Sequence, residues 1–397
     1  MITADSIRNL VEFPERLYQV MKEIHPGVAD LELYEFKYGL DTVFPNEDWA
    51  ETQLLEPVEI EHLVNSGDYY DKIQIKPMNG SKIKLDDEIT HLTQMLFVGL
   101  ENGKYSSNWV KKHFFFDLRG FNFLHRTEYI TPKMISHLGG KPFASFERKQ
   151  KAFERQQSVG YKEFKAANRE VDELLMDCVK KLIASKGTPV VIAIAGPTAA
   201  GKTEIVERLR EEVEKEGRKV TSIEVDNFLT ERDHREANGI HSLGKEALHL
   251  ELFLKCLEDI TQGKKITTPR YDFIDGNSSH DLDGNLKPGF TPVEIEPADI
   301  IFIEGNFPFL IPEAVHLIGI KVVYLTDDAV RLQRKWKRDV DYRKKYDPNY
   351  FRNRFFKDQF PMAEKCYIPQ LEVCDIFVDT TGAVLWATPE IAGVLRD

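Results

Sequence analysis

Gly196 to Thr203 reads GPTAAGKT, directly after the apolar run VVIAIA at Val190 to Ala195 and directly before the helical pattern EIVERLREEVEKE, which Gly217 closes. The octapeptide fits G-x-x-x-x-G-K-[ST] in the context that pattern requires, strand before and helix after. Its glycines, Gly196 and Gly201, let the main-chain N–H groups of Thr198, Ala199 and Ala200 turn toward phosphate oxygens, and the helix N-terminus adds its positive end. Lys202 can bridge the β and γ phosphates, and the hydroxyl of Thr203 can hold Mg2+. A nucleoside triphosphate is the ligand this predicts. The same loop serves motors, switches and kinases, so the reaction has to be read from the residues around it.

Working outward, four more apolar runs follow: Val220 to Val225 (VTSIEV), Ile300 to Ile303 (IIFI), Ile320 to Leu325 (IKVVYL) and Asp375 to Val378 (DIFV). Near-continuous Ile and Val is what a sheet covered on both faces requires, so residues 188–397 are expected to form an α/β P-loop domain with a five-stranded parallel sheet covered by helices. Residues 141–187 read as a helical connector, with Leu174, Leu175, Cys178, Leu182 and Ile183 at helical spacing against that sheet. Residues 1–140 are expected to form an α+β domain with a helix over Ser6 to Ile24 and strands at Leu31 to Tyr38, Lys72 to Ile75 and Lys112 to Leu118. The aromatic run HFFFDLRGFNF at 113–123 reads as a core strand, with a ligand-stacking surface as the alternative.

The chain has 397 residues, with 53 Lys and Arg against 65 Asp and Glu, a net charge of −12. An acidic chain repels nucleic acid and anionic membranes at long range, so neither is expected as a partner. Cys178, Cys256, Cys366 and Cys374 form no C-x-x-C pair, which argues against a zinc ribbon or a disulfide framework. The opening MITADSIRNLVEFPERL lacks the basic-then-apolar pattern of a secretory leader, and no run of about 18 apolar residues occurs; a cytoplasmic protein is the expectation.

Three features sort the reaction. Asp226, at the end of the second run in SIEVDNFL, stands where parallel strands converge on a ligand and could accept a proton from an attacking hydroxyl; the plainer reading is a helix cap. Glu304, ending the third run, lies beside the phosphate loop and could hold Mg2+ through water, against a buried structural carboxylate. Residues 331–357 carry 11 Lys and Arg against 3 Asp and Glu, a local charge of +8 that leaves −20 for the remainder. Arg331, Arg334 and Arg338 are spaced i, i+3, i+7 and so can converge on one polyphosphate, the alternative being a solvated basic face.

Taken in order, GPTAAGKT, VDNFL, TPRYDFIDG (268–276), IIFIEG, VRLQRKWKRDVDYR (330–343) and KCYIPQLEVCDIFVD (365–379) resemble the phosphoribulokinase/uridine kinase family of P-loop kinases, over residues 188 to about 385. The resemblance implies an ATP- and Mg2+-dependent transfer to a hydroxyl of a small molecule. It implies that Asp226 is the general base and that Tyr271 and Asp272 line the acceptor pocket. Arg331, Arg334, Lys335, Arg338 and Asp339 would belong to a lid over the phosphates, with Arg334 and Arg338 on the nucleotide, Arg331 and Arg343 on the acceptor side, and Arg338 joining Lys202 and Asp226 in catalysis.

Members that phosphorylate nucleosides tend to carry a His and an Arg just after the Y-D-F motif, where this chain has Gly276 and Ser278. Their ribose-holding F-D-H-P-x-A-F-D stretch is replaced by HSLGKEALHLEL at 241–252, which brings in His241 and His249, and His280 lies nearby. An acceptor other than uridine is therefore expected. GPTAAGKT also resembles the loop of tRNA dimethylallyltransferases, but their D-S-x-Q-x-Y and G-T-x-K-P stretches do not occur. A nucleotide-dependent switch is the other alternative, and Tyr271 with the lid arginines favours the kinase. The oligomeric state, monomer or homo-oligomer, stays open.

Overall fold

The computed structural model describes residues 12–44, 48–66, 76–77, 83–84, 87–117, 122–146, 168–336, 338 and 362–396. The chain divides into two compact units: residues 1–128, 149–167 and 328–361 form the first, and residues 129–148, 168–327 and 362–397 the second. Neither is contiguous, so the division differs from the expected segments 1–140, 141–187 and 188–397.

The described part of the first unit is mainly helical, with α1 at Phe13–Ile24, α2 at Leu33–Val43, α3 at Pro57–Asn65, α4 at Asp87–Glu101 and α5 at Ser107–His113, followed by a hairpin of β1 (Phe114–Asp117) and β2 (Asn122–His125). α2 replaces the strand expected at 31–38. The alternation of Leu31 and Leu33 suggests a strand, but Phe36 and Leu40, the buried pair, are four apart and define a helical face. The Glu35 carboxylate also accepts from the Glu32 N–H at 2.8 Å, which caps the helix start. The strand expected at 72–75 and the first residues of the Ser6–Ile24 helix lie outside the described residues. The aromatic run is core: Phe114, Phe115, Phe116 and Phe123 are buried, and Phe97 of α4 meets Phe123 at 5.3 Å and Phe116 at 6.0 Å between ring centroids.

The second unit is built on one seven-stranded sheet. In chain order its strands are β3 (Ala144–Ser145), β4 (Val190–Ala195), β5 (Val220–Glu224), β6 (Ile300–Gly305), β7 (Ile320–Leu325), β8 (Ile376–Asp379) and β9 (Val384–Ala387). Their spatial order is β3-β9-β8-β7-β4-β6-β5. The five expected strands are all present and mutually parallel. Two further strands, β9 and β3, extend one edge antiparallel. β4 is central, and its residues alternate between two apolar layers: Val191, Ala193 and Ala195 face one, Val190, Ile192 and Ile194 the other. On the second layer lie α6 (Arg169–Ser185), through Leu175, Val179 and Leu182, and α7 (Lys202–Lys215), through Ile205 and Leu209. Asp172 of α6 ties them together, accepting from Arg208 of α7 and from the Tyr324 hydroxyl at 2.7 Å. No helix among the described residues is long and apolar enough to cross a membrane.

Candidate active site

Between β4 and α7 the chain makes the turn Gly196–Gly201. Gly196 has φ +153°, and a Cβ there would sit 2.2 Å from the Tyr324 carbonyl oxygen of β7, so only glycine lets the loop pass this close. Gly201, at φ +103°, starts α7 from a left-handed conformation. The loop is fastened from below by Thr326, whose hydroxyl donates to Ala200 O at 2.8 Å. Lys202, the first residue of α7, is 8% exposed and donates to Pro197 O at 3.1 Å, which folds its side chain back over the loop.

The parallel register sets Glu304 of β6 beside Ile194 of β4 and Glu224 of β5. The Thr203 hydroxyl donates to Glu304 at 2.8 Å. Burial pushes the Glu304 carboxyl up to about 7, with Glu224 and Asp226 acting in the same direction and Lys202 and Thr203 opposing it. A half-buried acid near two further carboxylates is the environment a divalent cation would relieve. No group of three or more His, Cys, Asp or Glu ligands gathers among the described residues.

Asp226 lies in the short 3-10 turn Val225–Phe228 that ends β5. Both its carboxylate oxygens are 3.2 Å from Nδ2 of Asn306, the residue after β6. Asn227 links this turn to the Y-D-F segment, since its Oδ1 accepts from Tyr271 N at 3.3 Å and its Nδ2 donates to Glu224 at 3.2 Å. Tyr271 is buried, with its ring edge against Phe273 and its hydroxyl accepting from Arg235 at 2.9 Å. Asp272 is exposed and caps its own turn by accepting from Ile274 N. The place read as the nucleoside-type histidine, Gly276, leaves no room for a side chain: a Cβ there would meet Arg232 atoms at 2.7–2.8 Å. His249 and His280 are buried in a hydroxyl network, His249 against Ser278 at 3.2 Å and His280 against Ser279 at 2.9 Å, and burial holds both below the usual imidazole range.

The helix Asp328–Trp336 falls in the first unit, where Leu332 joins the core of α1, α2 and α4. Arg331 is 0% exposed and ion-pairs with Asp328, whose other oxygen accepts from Thr127 N at 3.0 Å. Arg331, the first member of the expected stripe, is an interior cation of the first unit. Lys335 is buried as well, while Arg334 and Arg338 are half-buried. Asp339 and Arg343 lie outside the described residues.

Lys202, Thr203, Glu304, Asp226 and Tyr271 are therefore brought to the carboxyl ends of β4, β6 and β5 and to the segment Asn227 holds there. Sequence reading missed Asn306, Arg235 and Gln370, which are buried polar residues. Asn306 directly follows the I-I-F-I-E-G strand, and that adjacency was the signal available.

A phosphate loop opening a helix from the middle strand of a parallel sheet defines a P-loop nucleotide-binding unit. The chain belongs to the phosphoribulokinase/uridine kinase family, whose description matches residues 191–387 and leaves the residues before 191 outside it. It is 31% identical over 163 residues to a uridine kinase of Brevibacillus brevis, covering 40% of this chain and 69% of that protein. It is 26% identical over 200 residues to uridine-cytidine kinase 2-B of Danio rerio, covering 48% of this chain and 72% of that protein. A third relative, uridine kinase-like protein 4 of Arabidopsis thaliana, is 27% identical over 197 residues; the match covers 49% of this chain and spans only 39% of that protein's length.

Proposed function

We propose that this protein is an ATP- and Mg2+-dependent kinase that transfers the γ phosphate to a hydroxyl of a small polar acceptor. The observation that carries the reading is the convergence, in one unit, of the Lys202/Thr203/Glu304 cluster and of Asp226 at the end of the neighbouring strand β5. Lys202 and the loop amides hold the triphosphate, Thr203 and Glu304 hold the metal, and Asp226 takes the proton of the attacking hydroxyl. A divalent cation held by Thr203 and Glu304 would supply neutralisation of phosphate charge. Tyr271 walls the acceptor side. The acceptor is one other than uridine, a reading supported by Gly276, where Arg232 takes the space a nucleoside-gripping side chain would need.

Acceptor-dependent ADP release from Mg-ATP with uridine, cytidine, D-ribose, glycerol and sugar phosphates tests this. A sugar or polyol should outperform the nucleosides, whereas uridine turnover with kcat/KM above about 10^4 per molar per second, the low end of typical enzyme efficiency, overturns the acceptor assignment. Asp226→Asn keeps the shape but takes no proton, so kcat should fall by about 100-fold or more with the KM for ATP little changed. Collapse of ATP affinity with kcat retained would make Asp226 a metal or structural group instead.

A further inference from the structure

The buried polar groups of the second unit include one that touches the reacting end of the site and has no role above, Asn306, which is 7% exposed. Its main chain and its side chain do different jobs. The carbonyl oxygen is fixed by Gln370, whose Nε2 donates to it at 2.8 Å and to Cys366 O at 3.0 Å. The Gln370 Oε1 accepts from Phe309 N at 3.2 Å, and Gln370 is 1% exposed, so the turn after β6 is closed without any help from the Asn306 side chain. That side chain points its amide nitrogen at Asp226, equidistant at 3.2 Å from the two carboxylate oxygens. Its own Oδ1 is buried and finds no hydrogen-bond donor among the described residues.

The two ends of an amide are nearly the same size, so chemistry decides which faces the carboxylate. Oxygen against a carboxylate repels, and nitrogen against it donates to both oxygens at once. Leaving Oδ1 without a partner is a cost that a residue kept only for packing would shed by becoming apolar. A base acts on one proton in one direction, and a carboxylate at a strand end turns about its last side-chain bond unless both oxygens are held. We propose that Asn306 is the positioning residue of the Asp226 carboxylate, setting the plane in which it meets the acceptor hydroxyl. This rests on the reading of Asp226 as the base.

The experiment is a double-mutant cycle on the full chain, reading acceptor-dependent ADP release from Mg-ATP with whichever of uridine, cytidine, D-ribose, glycerol and the sugar phosphates gives the highest rate. Asn306→Ala should lower kcat by about 10-fold or more while the KM for ATP moves by less than about twofold, the signature of a contact felt at the transition state. In the Asp226→Asn background the same change should cost nothing further, because there is no longer a base to orient. Asn306→Asp should be slower than Asn306→Ala, since it sets a second carboxylate against the first. Asn306→Ser, which keeps a shorter donor, should fall between wild type and Ala and serves in place of Ala if that variant does not fold.

Near wild-type kcat in Asn306→Ala, beside an inactive Asp226→Asn, overturns the positioning role alone, as does a loss of the same factor in the Asp226→Asn background. An active Asp226→Asn, or silence from every acceptor, overturns the kinase reading and this inference with it.

Discussion

Lys202 and Arg331 are both cations shielded from water, at 8% and 0% exposure, and both lie in stretches whose charge suggested phosphate binding, yet they are held in opposite ways. Lys202 is laid over its loop by a carbonyl oxygen, a neutral partner that a phosphate can displace. Arg331 is ion-paired with Asp328 in the interior of the first unit, and Asp328 is further held by Thr127 N. What separates them is backbone geometry. The loop's glycines permit one close approach, to Tyr324 O, and so dictate a cradle. A run of arginines dictates no conformation and pairs with whatever carboxylate the fold supplies.

The largest effect expected from this contrast is on stability. Arg331→Met removes the cation that pairs with buried Asp328 and should cost about 3–5 kcal/mol in urea denaturation of the full chain, with Asp328→Asn restoring most of the loss in the double variant. If Arg331→Met were as stable as wild type while the KM for ATP rose, the two cations would be alike after all, and the distinction between them would collapse.

Lys202→Ala sharpens the comparison from the other side. Turnover should drop about 100-fold or more, because charge on the transferring phosphate is no longer met, while the urea midpoint stays near wild type. Unaltered turnover in the purified variant would remove the phosphate loop from the mechanism.

A smaller effect separates the units by pH. His125, at the end of β2, is half-buried with its ring 6.1 Å from that of Phe114, and desolvation lowers its pKa from 6.5 to about 4 despite Asp328 nearby. The folded chain keeps this imidazole neutral while the unfolded chain takes up a proton. Its contribution is therefore fully present above pH 6.5 and is lost as the pH falls toward 4. The slope is at most about 1.4 kcal/mol per pH unit, and His125→Phe should flatten it. An unchanged pH dependence in His125→Phe would show that the imidazole is charged in the fold or that other groups dominate.

How far the sequence could be read follows from which forces were local. β4 and β7 match the expected runs to the residue because both their faces are covered and, Lys321 of β7 aside, their positions are apolar. β5 stops one residue early, at Glu224, since Val225 turns into the segment that presents Asp226. β3 and β9 went unseen: two and four residues at a sheet edge leave little periodicity to detect. The strand assigned to 31–38 failed because a helix cap and a four-residue spacing outweighed a short alternation. In the candidate site, residues with a backbone or charge signature, from Gly196 to Thr203, Asp226 and Glu304, were legible. Asn306 was not, because an amide carries no charge and its meaning lies in a partner 80 positions away.

The pairing of β3 with β9 bears on how this protein can be taken apart. Ala144 and Ser145 cover the outer edge of β9, flanked by main-chain bonds from Phe143 N to Leu385 O at 2.9 Å and from Phe146 N to Ala383 O at 3.0 Å. Met134 and Leu138, a few residues earlier, fill the apolar layer that also contains Phe377 and Trp386. A fragment cut where the family resemblance begins would keep the phosphate loop and every candidate catalytic residue of the second unit. It would also expose a bare strand edge beside an opened hydrophobic layer, the combination from which intermolecular sheets grow. Such a fragment should precipitate for reasons unrelated to its chemistry, and the eighteen or so residues from Tyr129 onward act as a built-in guard against that self-association.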